Sequence, residues 1–140
     1  MNALALRRAR ITRVRQVQHL QAASEAATAE QKVEQLEGNA ARLAALRLSL
    51  SFAPGLTSGA ALGSSSELGL RLDHVRDGLA NALGAARSAA ADRVGERIEA
   101  HIARESAHRL ETRAVAELQQ LIEDRLIASI RPRVKEARNG

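Results

Sequence analysis

The chain has 140 residues with no cysteine, tryptophan or tyrosine, and alanine (29) and leucine (19) make up about a third of it. That excludes a disulfide scaffold, a thiolate metal site and a Cys nucleophile, and it leaves a β-sandwich or barrel almost nothing to build a core from. The net charge of +5 comes from 21 basic and 16 acidic residues, and the dominance of Ala, Leu, Arg, Glu and Gln favours an all-α chain, one domain over residues 1–140.

The first predicted element is a helix over residues 3–50. It has no proline, and its one glycine is Gly38. Ala26, Ala29, Val33, Leu36, Ala40 and Leu43 follow alternating steps of three and four, the spacing of a seam on one helix face. Upstream, Ile11 and Val14 fall one position out of that frame, and Ile11, Ala22 and Val33 step by eleven residues. Such a step relaxes left-handed supercoiling, so a gently wound pair is expected rather than a regular zipper.

Residues 51–66, SFAPGLTSGAALGSSS, carry no charge. Pro54-Gly55 breaks the helix, and the segment is expected to be a flexible tip loop. Ser64-Ser65-Ser66-Glu67 fits an S-x-x-E capping box, which sets the next helix start near Glu67.

A second helix is predicted over residues 67–130. Leu72, Val75, Leu79, Leu83, Ala86, Ala90, Val94 and Ile98 repeat at helical spacing, and the stripe continues through Ile102, Leu110, Ala114, Leu118, Leu121 and Ile122. Gly78, Gly84 and Gly95 interrupt it at a cost of about 1 kcal/mol each against Ala. Pro132 is expected to close the helix, leaving a basic tail over 131–140 whose Arg131, Arg133 and Lys135 suit a helix C-terminus.

Neither helix can bury its stripe alone. The expected fold is therefore a long antiparallel two-helix coiled-coil hairpin with unequal arms, about 70 Å and about 95 Å at ~1.5 Å per residue. Folding at the middle of the loop pairs residues whose numbers add to roughly 117. Ala3 then falls near Ala114, and Leu118, Leu121, Ile122, Leu126 and Ile130 have nothing opposite them. An uncovered apolar stripe marks a docking surface; the competing reading is a tail that frays or folds back. Alanine at the seam contributes little apolar area at ~25 cal/mol per Å², so the hairpin should be marginal when isolated.

Motifs for catalysis are missing. There is no Gly-rich phosphate loop, H-E-x-x-H or G-x-S-x-G, so a non-enzyme with no cofactor and no small-molecule substrate is expected. Glu105-Ser106-Ala107-His108 is an E-x-x-H of the kind used in di-iron bundles, with His101 one turn before and His19 near it across the hairpin. A di-iron site needs ligands from four helices, so these read as surface residues and no metal is assigned.

Charge is uneven. Residues 1–20 carry Arg7, Arg8, Arg10, Arg13 and Arg15 and no acid, while 67–140 hold 13 basic and 12 acidic residues. A solvated face is the plainest reading. Nucleic acid, anionic lipid headgroups and an acidic protein partner are the functional ones. The lack of aromatics for base stacking argues against nucleic acid. The protein partner is favoured, because the uncovered stripe lies at the same end of the hairpin. No apolar run nears the ~20 residues that span a bilayer, and no apolar stretch follows the N-terminal arginines as in a secretory signal. A cytoplasmic protein is expected.

A basic-started helix (ARITRVRQVQHLQAASEAATAEQKVEQLEGNAARLAALRLSL), a small-residue tip and a longer helix (LDHVRDGLANALGAARSAAADRVGERIEAHIARESAHRLETRAVAEL) together resemble the FliJ / YscO-like family of the flagellar and type III export apparatus. The resemblance covers roughly residues 7–125 in length and layout. It implies a cytoplasmic coiled-coil adaptor, at or near the inner face of the cytoplasmic membrane, whose partners are the export ATPase, the export gate protein and substrate chaperones. Membrane contact would be peripheral, through those partners. On this reading Leu118, Leu121, Ile122 and Leu126 supply apolar contacts, and Arg7, Arg8, Arg10, Arg13 and Arg15 steer association by charge. Two alternatives stay open: a basic coiled coil that associates with nucleic acid, and a structural coiled coil that pairs its stripes into a four-helix bundle. The chain would be a monomer or a homodimer.

Overall fold

The computed structural model describes residues 2–51 and 59–139, with side chains described for 2–50 and 59–130. The fold is an all-α antiparallel hairpin of two helices of unequal length, α1 (Ala3–Ser51) and α2 (Gly59–Asn139). Asn2 caps α1: its Oδ1 accepts the Leu4 amide at 3.1 Å, and its carbonyl accepts the Leu6 amide at 3.2 Å. That relieves one of the orphan donors that every helix start carries.

The ends of α2 differ from the sequence-based expectation. The helix starts at Gly59, eight residues before the expected boundary. Ser64–Ser66 therefore lie inside it, and Glu67 pairs with Arg71 at 2.9 Å, one turn on, instead of capping. An i,i+4 Glu–Arg pair serves a continuing helix and competes with the box. The rest of the expected loop, 52–58 with Pro54-Gly55, lies outside the described residues. At the other end α2 continues past Pro132 to Asn139. A proline removes one amide donor and crowds the carbonyl four residues back, and Arg133, Lys135, Glu136 and Ala137 after it are good helix formers. The side chains of the basic tail lie outside the described residues.

The chain forms two compact units, the first Met1–Ala22 with Arg97–Gly140 and the second Ala23–Glu96. In the second unit the seam is the expected one. Ala26 is fully buried, Leu43, Ala86 and Ala90 are buried, and Ala29, Val33, Leu36, Ala40, Leu72, Leu79, Leu83 and Val94 are half-buried. Three ion pairs flank it across the two helices: Arg93–Glu25 at 2.9 Å, Arg87–Glu37 at 3.2 Å and Arg47–Asp73 at 3.2 Å. All lie at the surface, Asp73 being the least exposed of the six side chains, so each contributes about 0.2–1 kcal/mol. Gly69 is buried beneath the Arg47 guanidinium, whose Nη1 would lie only 2.6 Å from an added Cβ. Val75 lies outside the seam, more than half exposed, because half-buried Asp73 takes the inward position beside Leu72.

In the first unit the seam is small and polar. Ala5, Ala107 and Ala114 are buried, and Ile11, Thr12, Gln16, His19, Arg97, Ala100, Arg104, Glu105, Glu111 and Leu118 are half-buried. The expected apolar stripe turns outward here, leaving Ile98, Ile102 and Leu110 exposed, as are Val14, Val17 and Leu20 on α1. The physical reason is the three-and-four stepping: it runs Val94–Arg97–Ala100–Arg104–Ala107–Glu111–Ala114–Leu118, so Ile98 and Ile102 are each out of frame. Across this seam the Thr12 hydroxyl reaches the carbonyls of Arg8 at 3.0 Å and Ala107 at 3.2 Å. Thr12 against Ala107 and His19 against His101 set a register two to three residues beyond the expected pairing.

Candidate partner-binding surface

Two groups of side chains in the first unit carry the chemistry. The first lies where α1 begins. Continuing the register of Thr12 with Ala107 and His19 with His101 places Ala3 opposite residues 116–117. Beyond it, α2 has no described residue of α1 facing it. Asn2 and the α2 residues Leu118, Leu121, Ile122 and Arg125 line an open groove of about 600 Å³ at this point. Leu118 is half-buried at its inner edge. Leu121, Ile122 and Leu126 are 50 %, 50 % and 58 % exposed, and Ile127 and Ile130 continue the exposure. Ile122, Leu126 and Ile130 step by four and share one side of the helix.

Exposed large apolar residues scattered singly are ordinary on a protein surface. Five within ten residues on one helix end are not, and such a cluster is typical of interaction sites. Of the apolar contacts expected from sequence, the structure brings Leu118, Leu121 and Ile122 to one groove and leaves Leu126 one turn beyond it. Ile127 joins the exposed cluster and was missed; its only signal is its place beside Leu126 in the helix.

The expected steering residues lie on the adjoining stretch of α1. Arg7, Arg10, Arg13 and Arg15 are exposed and Arg8 is half-buried. Among the described residues none of the five makes an ion pair with a carboxylate. Arg15 bonds only the neutral Gln18 amide oxygen, at 3.1 Å. By contrast Arg47, Arg71, Arg76, Arg87, Arg93 and Arg104 all meet carboxylates. The cationic side chains at the start of α1 are thus held in no direct carboxylate pair and are open to an acidic partner.

The second group sits on the polar seam. The rings of His19 and His101 face each other with centroids 5.4 Å apart and tilted by 55°. Arg104 is the hub: it donates to Gln16 Oε1 at 3.2 Å and Glu105 Oε1 at 3.1 Å, and its Nη2 lies 3.3 Å from His101 Nδ1. The half-buried His19 has its pKa lowered, first by desolvation against α2, then by Arg104, His101 and Arg97, with Glu105 opposing. Its Nδ1 is buried and makes no hydrogen bond among the described residues. Thr12, Gln16, Arg104, Glu105 and His108 line an adjoining groove of about 230 Å³. So His19 and His101 converge, Glu105 is held by Arg104, and His108 edges a neighbouring groove. Among the described residues no group of three or more His, Asp or Glu side chains is set to hold a metal ion. Arg104 was not singled out from sequence, although its position three residues after His101 places both on one helix face.

Among the described residues no helix is long and apolar enough to cross a membrane. Comparison of the chain with protein-family models, with curated proteins and with solved structures gives no match.

Proposed function

We propose that the chain is a non-enzymatic adaptor of the flagellar or a related type III export apparatus, a helical hairpin that links an export ATPase to the export gate and to substrate chaperones. It acts in the cytoplasm, at the inner face of the cytoplasmic membrane through its partners. The observation that carries the reading is the cluster Leu121, Ile122, Leu126, Ile127 and Ile130, exposed on α2 where α1 no longer faces it. Leu118, Leu121, Ile122 and Leu126 provide the apolar contact, and Arg7, Arg8, Arg10, Arg13 and Arg15 speed encounter with an acidic partner. The layout of two unequal antiparallel helices supports the resemblance to FliJ / YscO-like proteins. Coupling is by recognition, so no side chain performs chemistry.

A chain ended after Ala114 removes the apolar cluster together with Leu118, and keeps the Thr12–Ala107 and His19–His101 contacts and the three cross-helix ion pairs. It should remain helical and fail to retain an immobilised export ATPase that the full chain retains. Equal retention by the shortened chain refutes the proposal.

The arginines of α1, none of them in a carboxylate pair among the described residues, favour one second reading, a basic coiled coil on nucleic acid. Its mark is affinity whose logarithm falls linearly with the logarithm of salt concentration. A gel-shift at physiological salt separates the two: no shift at micromolar protein excludes it.

A further inference from the structure

We infer that His19 and His101 form a protonation-sensitive latch between α1 and α2: the first unit is closed while both rings are neutral and loosens when either takes up a proton.

Three independent features lead there. The two rings come from different helices and face each other across the seam at 5.4 Å between centroids, so charge on one is felt by the other. The Arg104 guanidinium only donates, so its 3.3 Å contact with His101 Nδ1 is a hydrogen bond only if that nitrogen is the acceptor, which requires a neutral ring protonated on Nε2. Protonated His101 turns that contact into donor against donor. Finally, His19 Nδ1 is buried with no hydrogen-bond partner among the described residues, and a protonated His19 would place an N–H there with no acceptor among them, which is costlier than a bare lone pair.

The charged surroundings of His19 oppose its protonation as well. From α2, the groups facing His19 are Arg97, His101, Arg104 and Glu105. On α1, Arg15 lies one turn back in the helix and donates to Gln18 Oε1. With neutral rings, two cations face one carboxylate. With both rings protonated, four cations do, and Glu105 is already engaged by Arg104 at 3.1 Å. The rest of the seam offers little to resist separation, because among the described residues of this unit the buried apolar ones are Ala5, Ala107 and Ala114. The second unit has no His–His pair among its described residues and keeps its leucine and valine seam, so the response is local.

Hydrogen exchange on the full chain tests this. Protection of residues 9–20 and 98–110, corrected for intrinsic exchange, is followed from about pH 7.5 to about pH 5, above the carboxylate range. Residues 26–43 and 79–94 serve as the internal reference. Protection in the first pair of segments should fall several-fold against the reference, and the His19→Gln/His101→Gln variant should lose that fall. Equal behaviour of all segments in the natural chain, or an undiminished fall in the variant, overturns the inference. Should the double variant misfold, imidazole titration of the natural chain by NMR decides. Titration midpoints that coincide with the loss of protection support the latch, and rings that titrate with no loss of protection overturn it.

Discussion

Replacing Leu43 and replacing Leu126 should have opposite consequences, although both are leucines on long helices. Leu43 is buried in the seam of the second unit, beside a groove of about 210 Å³ lined by Ala40, Ala44, Arg47, Leu72, Asp73 and Arg76. Leu43→Ala removes transfer energy and leaves a gap, for which buried leucines cost roughly 2–5 kcal/mol. An open groove already adjoins the site and long side chains line it, so the walls can relax and about 2 kcal/mol is expected, at the low end of that range. Leu126 is 58 % exposed, and Leu126→Ala should cost under about 0.5 kcal/mol, as for surface positions in general. Urea denaturation followed by circular dichroism at the helical band measures both. In a binding assay the order should reverse, with Leu43→Ala retaining the partner under conditions where it is folded and Leu126→Ala weakened. Equal destabilisation by the two substitutions would refute the assignment of Leu126 to an uncovered surface.

Glycines open a second test. Nothing lies within 4 Å of a Cβ added at Gly78 or Gly84, so Gly78→Ala and Gly84→Ala should each stabilise the helix by about 0.5–1 kcal/mol, read from the same denaturation curves. The pH dependence has a definite sign. His19 titrates below its ordinary value in the folded chain, so the folded state binds fewer protons than the unfolded one. Its contribution is fully present above about pH 6.5 and is lost as pH falls through that value toward the folded pKa. Melting temperature should accordingly fall on the acid side of about pH 6.5, and His19→Gln should flatten the decline. For the arginines, replacing Arg7, Arg10 and Arg13 by Gln should slow association with an acidic partner, leave dissociation nearly unchanged, and reduce the salt dependence of the association rate, as stopped-flow mixing would show.

How much of this the sequence revealed depends on how the seam is made. In the second unit apolar residues occupy the inward positions, so the steps from Ala26 to Leu43 and from Leu79 to Val94 name the buried face directly. In the first unit the inward positions hold Thr12, Gln16, His19, Arg97 and Arg104. Hydrophobic spacing is silent there, and it points outward to Ile98 and Ile102. Long polar side chains can line a seam because their stems pack while their heads bond one another, and pattern alone does not register that. The start of α2 was hidden for a related reason: Gly59, Gly63 and three serines read as loop by composition, while the helix they extend is fixed by its neighbours. The apolar end of α2 was legible because it needs only helix lengths and a register. A shift of two or three residues in that register leaves Leu121 and everything after it uncovered all the same.

Titration calorimetry of the full chain against an export ATPase, repeated with Leu121→Ser, Ile122→Ser and Leu126→Ser combined, puts the adaptor reading to its most direct test. The natural chain should give a saturable isotherm and the triple variant none, with helical content equal in the two. An isotherm unchanged by the three serines, or no heat from the natural chain, would contradict it.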